Sequence, residues 1–127
     1  MIEAVIFDMD GTLVDSETVS DKAWRKTGEV MGLDIPESLI RSLIGLNATL
    51  GKQVVAEHFG GDAQLAERAF DKHMDLFLEI AETSLELMPH ARECLGELQA
   101  AGYPMALATC ARCPAWTGLA WAVSLQR

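Results

Sequence analysis

Three features are scarce in this sequence, and each scarcity excludes something. Cysteine is the first: there are only three, Cys94, Cys110 and Cys113. An odd and sparse set gives no disulfide framework. Cys110 and Cys113 form a C-x-x-C, but no second pair completes a structural zinc site, and no thioredoxin-like context surrounds it. The second is positive charge. Ten Lys and Arg stand against nineteen Asp and Glu, a formal charge of −9. A surface for nucleic acid or anionic membrane needs clustered cations, so neither partner is expected. A small anionic substrate stays open, because a bound metal ion supplies positive charge locally. The third is long hydrophobic runs. The apolar start Ala4-Val5-Ile6-Phe7 is too short for a signal peptide or a membrane span and runs straight into carboxylates, so cytoplasmic residence is the default expectation.

What is present is a core-building composition, half of it apolar over 127 residues. Residues 3–7 read as a buried parallel strand ending at Asp8. From Ser16 to about Met31 the pattern turns helical, with Val19, Ala23, Thr27 and Val30 on one face and Gly32 as the stop. Pro36 opens a second short helix carrying Leu39, Ile40, Leu43 and Ile44 to Gly45. A third is expected from Thr49 to Phe59. The longest follows, with Ala66, Phe70, Met74, Phe77 and Ala81 as its inner stripe. Pro89 suits the first position of another helix, whose inner face is Ala91, Cys94, Leu95, Leu98 and Ala101. Gly102 ends it, and Pro104-Met105-Ala106-Leu107-Ala108 reads as a second strand stopping at Thr109. There is no internal repeat or low-complexity linker. The plan is α/β: strand, helical insertion over 16–88, helix, strand. A right-handed crossover sets the strands parallel, with Asp8 and Thr109 at the carboxyl edge where open parallel sheets bind ligands.

Two carboxylates bracketing one residue at such an edge fit phosphate-ester chemistry. One attacks phosphorus, and the other protonates the leaving oxygen and later deprotonates water. A divalent cation offsets the repulsion between phosphate and carboxylate. Gly11 permits a tight turn, backbone N–H groups around Thr12 can face the phosphate, and the Thr109 hydroxyl donates to another of its oxygens. The plainer reading makes Asp8, Asp10 and Gly11 turn formers. The strand before them, Thr12 after them and the matching strand ending in Thr109 favour the chemical one.

The stretch Val5-Ile6-Phe7-Asp8-Met9-Asp10-Gly11-Thr12-Leu13-Val14-Asp15-Ser16-Glu17 resembles the first signature of the haloacid dehalogenase (HAD) superfamily. It is most similar to the phosphoglycolate phosphatase and β-phosphoglucomutase-like branch. Met88-Pro89, the following helix and Ala106-Leu107-Ala108-Thr109 resemble the approach to the second signature. The resemblance covers about residues 1–111. It implies a Rossmann-like HAD core, here with its first two parallel strands, in residues 1–15 and 89–127, and an α-helical cap in 16–88. It implies Mg²⁺-dependent hydrolysis of a small phosphorylated metabolite through an aspartyl-phosphate. Asp8 is then nucleophile and metal ligand. Asp10 is general acid/base and gives the metal its backbone carbonyl, Gly11 and Thr12 hold phosphate with the backbone, and Thr109 holds it with a hydroxyl. Mutases of the branch carry a cap histidine where this chain has Ser20, which tilts the reading to hydrolysis.

Arg41 and Asn47 fall in the cap region that faces substrate in the branch. The plainer reading, a solvated helix arginine and a helix-breaking loop, is preferred for them. Trp24 reads as packing. His58, His73 and His90 share no metal-ligand spacing and read as structural or exposed.

The family's third signature, with its Lys, and its fourth, with its acidic metal ligands, have no match. No Lys follows Lys72, no Asp follows Asp75, and the last acidic residue is Glu97. Residues 112–127 resemble nothing after Thr109 in the family and read as a frame-shifted tail on a truncated core. Marginal stability, self-association through an uncovered sheet edge and weak or absent turnover are therefore expected. A non-catalytic fragment or binding module is the alternative from another class.

Overall fold

The computed structural model describes residues 1–109. The C-x-x-C and the tail read as frame-shifted lie outside the described residues. The element order is β1 (Val5–Asp8), α1 (Ser16–Met31), α2 (Glu37–Leu43), α3 (Ala48–His58), α4 (Ala63–Ser84), α5 (Ala91–Ala100) and β2 (Met105–Ala108). The chain divides into two compact units. One is Met1–Ser16 with the chain from Ser84 onward, and the other is Glu17–Thr83. We call them the strand unit and the helical unit. No helix among the described residues is long and apolar enough to cross a membrane.

In the strand unit β1 and β2 pair in parallel, Val5 with Met105 through Asp8 with Ala108. The sheet is the expected parallel one, of α/β class. β1 starts at Val5 and β2 at Met105, each inside the stretch read as strand, 3–7 and 104–108. The exposure of β1 alternates, with Val5 and Phe7 half-buried and Ile6 and Asp8 exposed, as a pleated strand requires. Helix α5 starts at Ala91 rather than at Pro89. His90 between them has φ +62°, a left-handed backbone no helical residue adopts, so proline precedes the helix instead of opening it. Of the expected inner face Ala91 is buried and Leu95 and Leu98 half-buried, while Cys94 and Ala101 are exposed.

The helical unit closes its own core. Trp24, Ile40, Val55, Ala66 and Ala69 form one buried cluster, with Met31, Leu33, Ile35, Leu43, Phe59 and Phe70 against it. Helix α1 stops where the sequence implies. Gly32 has φ +65°, and the Leu33 N–H returns to the Gly28 carbonyl at 2.9 Å, a left-handed C-terminal cap that glycine adopts at least cost. Asn47 caps α3 by accepting the Leu50 N–H at 3.0 Å, and Asp62 accepts the Leu65 N–H at 2.8 Å ahead of α4. Three stripe residues come out differently from the sequence pattern. Val30, Ile44 and Met74 are exposed. Val30 and Ile44 lie at or beyond helix ends, where the apolar face is no longer opposed. In α4 the buried row runs Ala66, Ala69, His73, Phe77, Ala81, so His73 holds the inner position that the spacing offered to Met74.

His73 is a satisfied core residue. Its ring stacks on Trp24 with centroids 4.2 Å apart, and Nε2 lies 3.1 Å from the Ser20 hydroxyl. Burial pushes its pKa down to about 4, against a smaller upward pull from Ser20.

Candidate active site

The candidate site starts from a strand that ends in a carboxylate. Because Asp8 pairs in register with Ala108, the next residue of β2, Thr109, stands at the same carboxyl edge as Asp8. Parallel pairing alone brings these two together from a hundred residues apart. Both are exposed.

Past Asp8 the chain folds into a single tight turn. The Met9 carbonyl accepts the N–H groups of Thr12 at 3.3 Å, Leu13 at 3.0 Å and Val14 at 3.2 Å. Gly11 has φ +69° and donates its N–H to the Val14 carbonyl at 2.9 Å. A side chain at position 11 would strain that conformation. Asp10 bridges to Val14, and Val14 to Leu87. The Met88 N–H donates to the Leu13 carbonyl and the Asp15 N–H to the Glu86 carbonyl, both at 2.9 Å. The outgoing and returning chains thus brace each other. These bonds place residues 84–88 in the strand unit, ahead of position 89 where the sequence reading started it.

Asp8 and Asp10 flank Met9, which is 1% exposed, while both carboxylates are exposed. Alternation along extended chain sends neighbours to opposite sides, so burying Met9 turns both aspartates to solvent. One Asp8 oxygen, Oδ1, accepts the Met9 N–H at 2.8 Å. The side chain of Thr12 is exposed and Gly11 is half-buried. Their amides are committed inside the turn, to Met9 and Val14.

Arg41 and Asn47 belong to the helical unit. Arg41 is ion-paired with Glu37 one turn earlier, and Asn47 is the α3 cap. Both side chains have local work. Of the histidines, His58 and His90 are exposed and His73 is buried. Met9 is the residue the sequence reading passed over. An apolar side chain between two carboxylates at a strand end was the available signal.

Charge in the strand unit is one-sided. Its described residues carry seven side-chain carboxylates against one cationic side chain, Arg92. Among the described residues no group of three or more His, Cys, Asp and Glu has the arrangement to hold a metal ion. Asp8 and Asp10 offer hard oxygen donors, a carboxylate and a backbone carbonyl. That set suits Mg²⁺, which takes one or two protein carboxylates and completes its shell with water and substrate phosphate.

Comparison with known proteins agrees with this geometry. A family model described as haloacid dehalogenase-like hydrolase matches residues 2–116. The phosphorylated carbohydrates phosphatase of Thermotoga maritima is 31% identical over 111 residues, covering 85% of this chain and 50% of that one. The crystal structure of a hydrolase from Pseudomonas syringae superposes with a TM-score of 0.75 at 26% identity, over 98% of this chain and 57% of that one. CbbY of Rhodobacter sphaeroides, solved in complex with phosphate, gives a TM-score of 0.66 at 27% identity, over 97% of this chain and 57% of that one. The chain spans about half the length of the curated relatives it matches. With strand, Asp-Met-Asp-Gly-Thr turn and partner strand all in place, the chain belongs to the haloacid dehalogenase-like hydrolase family.

Proposed function

We propose that this chain acts on small phosphate monoesters with Asp8 as nucleophile. The observation that carries the reading is the register of Asp8 with Ala108, which sets the first carboxylate and the Thr109 hydroxyl on one edge. An Asp8 carboxylate oxygen attacks phosphorus while the bond from phosphorus to the ester oxygen breaks, and Asp10 gives its proton to that leaving oxygen. Asp10 then takes a proton from water as the water oxygen attacks phosphorus. The Asp8–phosphorus bond breaks and inorganic phosphate leaves. The Thr109 hydroxyl donates to a phosphate oxygen, and the turn at Gly11 and Thr12 lines the same edge. The Asp8 carboxylate and the Asp10 backbone carbonyl would hold Mg²⁺, which when bound neutralises phosphate charge. The strand unit's described residues supply little positive charge of their own, which fits that need.

The substrate class is a small phosphorylated metabolite, by likeness to the Thermotoga maritima phosphatase, and we place the reaction in the cytoplasm. The helical unit is read as the family's cap. Arg41 and Asn47 stay outside the proposed site, because Glu37 and the α3 N-terminus already occupy them.

The test is release of p-nitrophenol from p-nitrophenyl phosphate by the 127-residue chain, with Mg²⁺ or with chelator, beside Asp8→Asn. A slow release that needs Mg²⁺ and vanishes in Asp8→Asn is the expected result. A rate that Asp8→Asn leaves intact would refute the assignment.

A further inference from the structure

Burial in the strand unit is distributed in an unusual way. Its strands are poorly covered: Ile6 in β1 is 70% exposed and Leu107 in β2 is 46% exposed. The buried apolar side chains sit mainly in the turn after β1, at Met9, Leu13 and Val14, with Ala91 the other one. Met9 is among the largest fully buried side chains of the whole described chain. The best-packed segment of this unit is therefore the segment that carries the two carboxylates.

Met9 is also the bonding centre of that segment. Its carbonyl accepts three N–H groups, from Thr12, Leu13 and Val14. Its own N–H donates to Asp8 Oδ1 at 2.8 Å. Side chain, carbonyl and amide are all committed, and both covalent neighbours are the candidate catalytic aspartates. We infer that Met9 is a positioning residue, whose buried thioether side chain fixes the rotamer of Asp8 and the outward aim of Asp10. The inference rests on the reading of Asp8 and Asp10 given above.

The physical argument is one of leverage. The Met9 N–H takes one oxygen of Asp8 and leaves Oδ2 without that bond, so the two oxygens of the nucleophile differ. A change that lets the Met9 backbone drift moves the donor away from Oδ1 and frees the Asp8 side chain to sample other rotamers. The same drift rotates the Asp10 peptide, because the turn hangs on the Met9 carbonyl. Displacements of an ångström or less at such positions are costly to a site built on two carboxylates. Leucine matches methionine closely in volume and apolarity, so it should hold the turn. Alanine leaves a void that the turn collapses into or tilts over.

The experiment uses the full 127-residue chain and two readouts. The first is the set of three-bond couplings across the Asp8 Cα–Cβ bond by NMR, which reports its rotamer without any metal. The second is Mg²⁺ binding by calorimetry. The variants are Met9→Leu, Met9→Ala and Leu13→Ala, the last removing a buried side chain from the same turn without touching an aspartate's neighbour. Wild type and Met9→Leu should show one Asp8 rotamer and bind Mg²⁺ within about threefold of each other. Met9→Ala should average the Asp8 couplings and weaken Mg²⁺ binding about tenfold or more. Leu13→Ala should keep the single rotamer and stay within about threefold of wild type. Should Met9→Ala fail to fold, Met9→Val replaces it with the same expected direction. Averaged couplings already in wild type, or equal losses in Met9→Ala and Leu13→Ala, would overturn the inference. A wild-type chain with one Asp8 rotamer and no Mg²⁺ binding would instead sink the metal reading and leave the positioning role standing.

Discussion

The helical unit and the strand unit solve the burial problem to different degrees. The helical unit joins four helices around Trp24, Ile40, Val55, Ala66 and Ala69. Its one buried titratable ring, His73, has an aromatic neighbour and a hydroxyl partner. The strand unit exposes Ile6 and Leu107 on the strands themselves and concentrates burial in one turn. Stability and chemistry are thus separated along the chain. The region that packs best carries no proposed catalytic group, and the region that carries them leaves much of its sheet open.

The comparison breaks most visibly in the helical unit. Trp24→Ala removes a ring that stacks on His73 and meets Phe70 edge-on at 5.0 Å. It should cost about 3–5 kcal/mol, as other buried aromatic truncations do. Chemical denaturation followed by far-UV circular dichroism measures this, and a loss under about 1 kcal/mol would show the core to be less cooperative than its packing implies.

Next in size is an acid effect confined to the same unit. The His73 pKa lies at about 4 when folded against an ordinary 6.5. Below pH 6.5 the unfolded chain therefore takes up a proton that the folded chain refuses. Stability from this group is complete above that pH, falls through the window, and is lost once pH drops below the folded value. The total is about 3 kcal/mol. Comparing the denaturation midpoints of wild type and His73→Gln at pH 7 and pH 4 isolates the contribution. An equally steep pH dependence in His73→Gln would assign it elsewhere.

The smallest stability effect is expected on the open sheet. Ile6→Ser should shift unfolding free energy by less than about 0.5 kcal/mol, because an exposed side chain has little burial to lose. Its effect should appear in assembly. We expect the wild-type chain to self-associate through the sheet with rising concentration, and Ile6→Ser to do so less, by sedimentation velocity. A wild-type chain that stays monomeric at every concentration would remove the exposed face as a source of association.

Much of this division was legible in the sequence, for physical reasons. Long periodic stretches fixed α1 from Ser16 to Met31 and the existence of α4, because a 3.6-residue repeat over many turns has one consistent reading. The choice between His73 and Met74 for the inner row was not legible. Adjacent residues lie only about 100° apart around a helix, and the partners that favour His73, Trp24 and Ser20, come from another helix. The left-handed backbone at His90 was hidden for a similar reason, since nothing local in Pro89-His90-Ala91 requires it. The placement of Asp8 and Thr109 at one strand edge was readable from two apolar runs that each stop at a polar residue. The burial and bonding of Met9 were not legible, because they depend on how the turn after it folds back onto its carbonyl. The local engagements of Arg41 and Asn47, an ion pair one turn back and a helix cap three residues on, were present in the spacing and support the plainer reading of both.

The central claim is the proposal that Asp8 is the nucleophile that accepts the phosphoryl group from the substrate. Covalent labelling tests it most directly. The 127-residue chain is incubated with ³²P-labelled acetyl phosphate and Mg²⁺, quenched in acid, and digested for peptide mapping. Hydroxylamine-sensitive label on the peptide containing Asp8, absent from Asp8→Asn and prolonged in Asp10→Asn, is the outcome expected. Label that persists in Asp8→Asn, or that maps to another peptide, would contradict it.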